Sequence, residues 1–276
     1  MEEYYGVASW VVSGVALWST AFLALRALLP KRSYDFCNRA VSTMHAVAGV
    51  GLGCLSVQDW ASPVSPVASP SSPRQMTPLV LQLASPLLPT LKTPSWSERR
   101  GRGERYQRLT GGFFFLPRNM RALAVTLSYM IYDAACCHLS GDARLDNALH
   151  HLISIVGLAA GLLYRRCGTE LVACLLVTEI SGPLLHLREM LKELGIKDTD
   201  LNLLVDILFA VTFSVARMVG GTYVTYRTVT ADNPILIKTM ATSLLLVSAY
   251  WFLRILRMVR HKLGKKRPAK LAAKAK

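Results

Sequence analysis

The sequence predicts an all-α fold, a polytopic membrane bundle of about seven transmembrane helices. Two observations support this fold class. Of the 276 residues, 52% are hydrophobic, and the mean hydropathy of the chain is positive. The apolar residues are also gathered into blocks of roughly 20, the length that an α-helix needs to cross a bilayer. This pattern excludes a soluble globular enzyme.

Seven apolar blocks follow one another along the chain, and each is predicted to form one spanning helix. They cover residues 4–25, 40–57, 122–139, 148–164, 171–187, 201–226 and 235–259. The first block follows two acidic residues instead of the basic segment of a signal peptide, so we expect it to be retained. The second block, rich in Ala and Gly, has the least hydrophobic driving force. The fourth and fifth are near the lower length limit.

Residues 61–120 interrupt this pattern. Prolines recur through residues 62–89, which disfavours a spanning helix, and residues 98–108 carry five arginines. We therefore expect a disordered insert, and one hypothesis is that about residues 77–120 are unspliced coding sequence. The predicted organisation is a transmembrane domain over residues 1–260, interrupted by this insert, and a basic cytosolic tail over residues 261–276.

Lys and Arg are unevenly shared between the two sets of predicted loops. Most lie in the loops on the side of the C-terminal tail, so the positive-inside rule predicts a lumenal N-terminus and a cytosolic C-terminus. The net charge of +15 reflects this topology and the tail, which suits an anionic lipid surface. Nucleic-acid binding is disfavoured, because no basic soluble domain with interleaved aromatic residues is present.

The six cysteines have neither disulfide nor metal-site spacing. We interpret them as small apolar packing residues, with palmitoylation of Cys37 as an alternative. No metal and no other cofactor is predicted.

Ionisable side chains inside the apolar blocks are the first candidates for function. A charge at the centre of a bilayer costs at least ~2.5 kcal/mol, so such groups normally face a protein interior or a wet cavity. At ~1.5 Å of rise per residue, five titratable groups share one layer in the cytosolic half. They are His45, Asp133, His150, His151 and Asp206. Tyr129, one turn before Asp133, shares its helical face and could orient the carboxylate.

We expect this polar layer to form one concave site that opens into an apolar cavity. His150 and His151 differ by ~100° around the helix, so at most one can point squarely at a given site. His151 lies deeper and is our first choice for a catalytic residue, with His150 second and Asp133 as the orienting group. Alternatives are an interfacial, solvated His pair and a hydrogen-bonded core role for His45.

Glu179 and Arg217 lie deeper in the predicted bundle. Their depths match, at ~12 and ~14 Å from the lumenal ends of their blocks. We predict a structural ion pair between them, because pairing is the cheapest way to keep either charge buried. The alternative is an active-site role. Gly182 and Pro183 should bend the fifth helix just after Glu179.

The order of Tyr129, Asp133, the His150–His151 pair and residues 179–183 resembles the TLC domain. This domain is shared by ceramide synthases and translocating-chain-associating membrane proteins. The resemblance covers nearly the whole chain except about residues 77–120. It implies a helical membrane fold, residence in the endoplasmic reticulum or Golgi, and membrane lipid as the ligand.

The resemblance to ceramide synthases is incomplete at one motif. Their motif begins with a His pair, which His150 and His151 match, and continues to a His-Asp pair and a further Asp. This chain has Glu179, Ile180 and Ser181 in that region. The resemblance thus implies two functions, and the missing acids favour the first. One is a non-catalytic protein of lipid binding, homeostasis or trafficking, and the other is an acyl-CoA-dependent N-acyltransferase. Transport is a weaker third reading, because no inverted repeat is visible.

Overall fold

The structure is a computed structural model that describes residues 2–56, 118–141, 144–164 and 167–274. Within these ranges the chain forms nine α-helices and one π-helical segment. The helices are α1 (Glu2–Leu28), α2 (Tyr34–Ser56), α3 (Arg118–Leu139), α4 (Leu145–Tyr164), α5 (Gly168–Glu179), α6 (Gly182–Glu193), α7 (Asp200–Phe213), α8 (Gly221–Thr230) and α9 (Ile235–Lys274). The π segment, Ser214–Gly220, joins α7 to α8. The predicted fold class, a helical membrane bundle, is confirmed.

Six stretches of the described chain are long and apolar enough to cross a membrane. They are Tyr5–Leu28, Asn119–Leu139, Leu145–Tyr164, Gly168–Glu193, Asp200–Thr230 and Ile235–Arg260. Each corresponds to one predicted block, with ends that differ by a few residues. Many large apolar side chains on these stretches are exposed, as expected of surfaces that face lipid. The chain is therefore an integral, multi-pass membrane protein.

Helix α2 is the seventh long helix and the least apolar of them. Its 23 residues span about 34 Å at ~1.5 Å per residue, enough for a ~30 Å hydrocarbon core. Its polar residues Asn38, Ser42 and His45 are buried, whereas Met44 and Val47 are exposed. A polar face turned inward and an apolar face turned outward is the arrangement that a membrane helix requires.

A short break separates α5 from α6 at Ile180 and Ser181. Pro183 lies in the first turn of α6, where its missing N–H group costs no helical hydrogen bond. A Cβ atom at Gly182 would lie 2.9 Å from Cβ of Ala46, so the absence of a side chain lets α6 approach α2. The bend predicted from Gly182 and Pro183 thus has a packing role.

Helix α3 occupies the centre of the bundle and packs against α1, α2, α4 and α5. The largest apolar cluster is built around it, with Trp18 and Phe22 from α1, Val41 from α2 and Leu158 from α4. Outside this core, α9 packs on α4 and α8, and α6 packs on α7. These contacts bring α3, α4, α5, α8 and α9 around a common space.

The predicted insert over residues 61–120 falls almost entirely on residues 57–117, which lie outside the described residues. Residues 118–120 belong to the first turn of α3. The predicted basic tail begins within α9, whose helical backbone continues to Lys274. The side chains of residues 261–276 are also outside the described part of the chain.

If α2 spans the membrane, the described helices cross it seven times, and we expect the termini to lie on opposite sides. A glycosylation acceptor fused before Met1 should then be modified in microsomes, and one fused after Lys276 should not. An acceptor inserted between α6 and α7, on the predicted cytosolic side, serves as the unmodified control. The same result at both termini would show that α2 does not cross.

Candidate functional site

A chain of hydrogen bonds joins α2, α3 and α4 around Asp133. Its Oδ2 atom lies 2.8 Å from Nε2 of His151, and its Oδ1 atom accepts a hydrogen bond of 2.8 Å from the Asn38 amide. The Asn38 oxygen in turn accepts from the hydroxyl of Tyr132 at 2.8 Å. A carboxylate in this position fixes the orientation of the imidazole. The pair thus has the geometry of a general acid–base unit.

Cys137 lies beside this pair. One potential ligand atom from each of Asp133, Cys137 and His151 falls within 4.8 Å of the others, and this is the only such metal-ligand group of three among the described residues. The polar atoms already have protein partners, because His151 bonds Asp133 and the Cys137 sulfur accepts from Asn147 at 3.5 Å. Hydrogen bonding accounts for the cluster, and we assign no metal to it.

His45 lies at the centre of a second polar group, between α1, α2, α3 and α5. Its ring stacks on Tyr129 with centroids 3.8 Å apart, and Trp18 contacts it edge-on. Its Nδ1 atom is 3.6 Å from Oε2 of Glu179. The structure therefore brings His45 and Tyr129 together, with His45 beside Glu179, and Tyr129 does not hydrogen-bond Asp133 in the described residues.

The predicted ion pair of Glu179 with Arg217 is not formed, since among the described residues His45 is the basic group within 4.0 Å of Glu179. Arg217 instead donates to the Thr178 carbonyl oxygen at 2.9 Å and approaches the Ser248 hydroxyl at 3.5 Å. The physical reason is partly the π segment around Arg217. Its wider turns change the rotation per residue, so counting at α-helical spacing misplaces side chains along this span.

Arg217 is nevertheless buried near the middle of the Asp200–Thr230 span, with 8% of its surface exposed. Its guanidinium lies over the rings of Phe213 and Trp251, at 5.4 and 5.8 Å from their centroids. Aromatic faces attract cations, and this attraction stabilises the buried charge. The Nε atom has no hydrogen-bond partner among the described residues.

Arg217 and Glu179 both line a cavity between α3, α4, α5, the π segment, α8 and α9. Its volume is about 940 Å³ including its open mouth. The walls are mostly apolar and include Met130, Leu158, Leu175, Val224, Met240 and Leu244. Small-molecule sites typically combine such apolar walls with a few polar groups. The cavity is therefore a candidate lipid site within the membrane.

The two consecutive histidines lie in different surroundings. His150 lines the cavity and packs at 5.0 Å on the Trp251 ring, whereas His151 faces Asp133. The indole N–H of Trp251 is held by Asp146 at 2.9 Å. We expected Asp133 and one histidine to open directly into the cavity. The structure corrects this, because Asp133 and His151 are not among the cavity-lining residues.

Asp206, predicted at the edge of the same polar layer, has a different partner. Its Oδ1 atom accepts a hydrogen bond of 2.7 Å from Nε of Arg188, and Asn202 approaches its other oxygen at 3.4 Å. The Arg188 guanidinium also lies over the Phe209 ring. This buried ion pair joins α6 to α7, and we interpret it as structural.

Sequence reasoning missed four residues of these networks. The sequence analysis assigns no role in a polar network to Asn38, Arg188, Trp251 or His186. The Nδ1 atom of His186 is buried without a hydrogen-bond partner in the described residues. One signal was available: Asp206 needed a buried cation, and Arg188 lies at the predicted cytosolic end of the preceding block.

These networks lie in a part of the chain that matches a known family. The TLC domain family matches residues 113–257, more than half of the chain. The chain belongs to the TLC domain family. The matched TLC region begins just before α3 and ends in α9, so it includes Asp133, the His pair, Arg217 and every helix around the cavity. Helices α1 and α2 precede it and contribute Asn38 and His45.

The Arg188–Asp206 pair should contribute strongly to stability. Arg188→Met removes the guanidinium that faces a carboxylate whose side chain is 2% exposed, and we expect a loss of about 3 kcal/mol or more. Replacing both residues by Met and Leu should cost less. The free energy of unfolding in detergent micelles measures both effects.

The matched control is Arg39→Met, which removes the exposed i,i+4 pair with Asp35. This change should cost at most about 1 kcal/mol. Equal losses in Arg188→Met and Arg39→Met would contradict the structural role assigned to the buried pair.

Proposed function

We propose that this TLC-domain protein binds a membrane lipid in the cavity and thereby influences lipid homeostasis or trafficking. The observation that carries the proposal is the cavity itself: apolar walls from five helices, with Arg217, Glu179 and His150 among its few polar side chains. Such a site suits an amphiphile, because the walls accept an acyl chain and the polar groups accept a head group.

We also propose a location and a closer relative. Family resemblance favours the endoplasmic reticulum or Golgi, and the distribution of Lys and Arg favours a lumenal N-terminus and a cytosolic C-terminus. The basic C-terminal segment would then meet anionic lipids of the cytosolic leaflet. Within the family, the chain resembles TLC domain-containing protein 5, also called transmembrane protein 136, in a plant-like form.

Filling the cavity should expel the lipid. Ala241 lines it from α9, and Ala241→Phe places a large ring in the space that the acyl chain would occupy. We expect retained lipid to fall by roughly tenfold, equivalent to ~1.4 kcal/mol of binding free energy. Native mass spectrometry of the purified full-length chain measures this retention.

Leu246→Phe is the matched control, because Leu246 lies on the same helix but is 66% exposed. It should retain lipid as the wild type does. Equal retention in wild type and Ala241→Phe would contradict binding in the cavity, provided that both proteins elute as folded species.

A second function is supported by one specific observation, the 2.8 Å contact between Asp133 and His151. An imidazole oriented by a carboxylate is the usual arrangement of a general base or of a nucleophile activated by a third group. The alternative is therefore an acyl-CoA-dependent N-acyltransferase of ceramide-synthase type. His151 would act on the amine of a sphingoid base, and His150 would lie at the cavity that holds the acyl chain.

The two functions give different results for Asp133→Asn. If the chain is an acyltransferase, this change should lower the rate of acyl transfer from acyl-CoA to a sphingoid base by about 10²-fold or more. Retained lipid should be unchanged, since Asp133 does not line the cavity. Asp35→Asn, at an exposed carboxylate of α2, is the control. Transfer that survives Asp133→Asn, or no transfer by the wild type, would exclude the catalytic role.

A further inference from the structure

The apolar walls of the cavity cannot by themselves select a ligand. An acyl chain in the bilayer is already surrounded by hydrocarbon, so moving it between apolar helices gives little hydrophobic gain. Preference for one lipid must therefore come from the polar groups of the cavity. The charged side chains among them are Arg217, Glu179 and Glu170, and His150 is titratable.

Of the two acidic groups, Glu170 has hydrogen-bond partners in the protein and Glu179 has one longer contact, with His45. Glu179 lies 3.6 Å from Nδ1 of His45, outside the cavity lining. Glu170, at the opposite end of α5, accepts hydrogen bonds from Thr169 at 2.7 Å and from Asn233 at 3.3 Å. Neither carboxylate lies within 4.0 Å of Arg217 in the described residues.

Two basic side chains of the cavity each have a nitrogen that forms no hydrogen bond in the described residues. Arg217 and His150 are each more than nine-tenths buried, and both line the cavity. Nε of Arg217 and Nδ1 of His150 have no hydrogen-bond partner among the described residues. A guanidinium N–H is always a donor, and the imidazole nitrogen can become one. Together they are suited to a ligand that carries acceptors and a negative charge.

The π segment is a second, independent observation at the same place. It covers seven residues around Arg217. π turns are rare in proteins, and those that occur are often found at functional sites. Gly220, at its end, lets the span approach α5, because a Cβ atom there would lie 3.2 Å from the Val177 side chain. The local backbone thus departs from regular helix where the Arg217 guanidinium lines the cavity.

We infer that the cavity selects a single-chain lipid with a carboxylate head group, held by Arg217 and assisted by His150. This inference rests on the lipid binding proposed above and names its ligand class. A planar carboxylate can accept from the edge of the guanidinium that includes Nε, which gives a directed, charge-assisted pair. An amine head group would be repelled by Arg217, and a neutral hydroxyl would not form a charge-assisted pair with it.

The test compares four probes with the same saturated chain: hexadecanoic acid, hexadecanol, hexadecylamine and hexadecyl phosphate. Binding to the full-length protein in nanodiscs is measured at mildly alkaline pH, so that the acid is ionised. Hexadecanoic acid should bind about tenfold or more tightly than hexadecanol, since hydrogen bonds to charged groups are the stronger ones. Arg217→Gln should remove this preference, and Arg217→Lys should keep part of it.

The control is Arg257→Gln, at an exposed arginine of α9, which should leave all four affinities unchanged. The wild-type comparison of acid with alcohol needs no variant, so it tests the preference for a carboxylate even if Arg217→Gln does not fold. Equal binding of acid and alcohol would overturn the inference while leaving lipid binding intact. Tighter binding of the amine would also overturn it, and tighter binding of the phosphate would overturn the carboxylate assignment. Failure of every probe to bind the wild type would overturn the proposed function as well.

Discussion

Charges inside the hydrocarbon must find partners on neighbouring helices, and this constraint determines how the bundle is held together. Asp133 of α3 is paired with His151 of α4, Glu179 of α5 with His45 of α2, and Asp206 of α7 with Arg188 of α6. Apolar surface provides little drive for helix association in a bilayer. These polar contacts are therefore directional links in the packing, supported by close approaches at small residues such as Gly182.

The same constraint explains why α2 can be a membrane helix despite its composition. Two of its polar residues have partners in the interior: Asn38 bonds Asp133 and Tyr132, and His45 packs between Tyr129, Trp18 and Glu179. The low hydropathy of α2 is therefore compatible with a membrane-spanning helix, because a helix that takes part in a buried polar network need not be apolar on every face.

The sequence was sufficient for the helices, but not for the partners of the buried charges. Apolar block length is a local property, and a fixed rise per residue converts position into depth, which put Asp133 and His151 in one layer. Partner choice depends on rotation about each helix axis and on which helices are neighbours. Glu179 was assigned to Arg217 on depth alone, yet His45 lies closer, and no local pattern indicated the π segment that reorients Arg217.

The adjacent histidines show how the two proposed functions relate to one site. Their ring centroids are 6.0 Å apart, so the Asp133–His151 pair and the cavity are separated by about the width of one side chain. A lipid in the cavity would meet His150 and Arg217, whereas a reacting group at His151 would lie beside the cavity. Lipid binding thus does not require the acid–base pair. Acyl transfer would require both the cavity and the acid–base pair. The acyl chain of the substrate would be held on one side of α4, while the reaction takes place on the other.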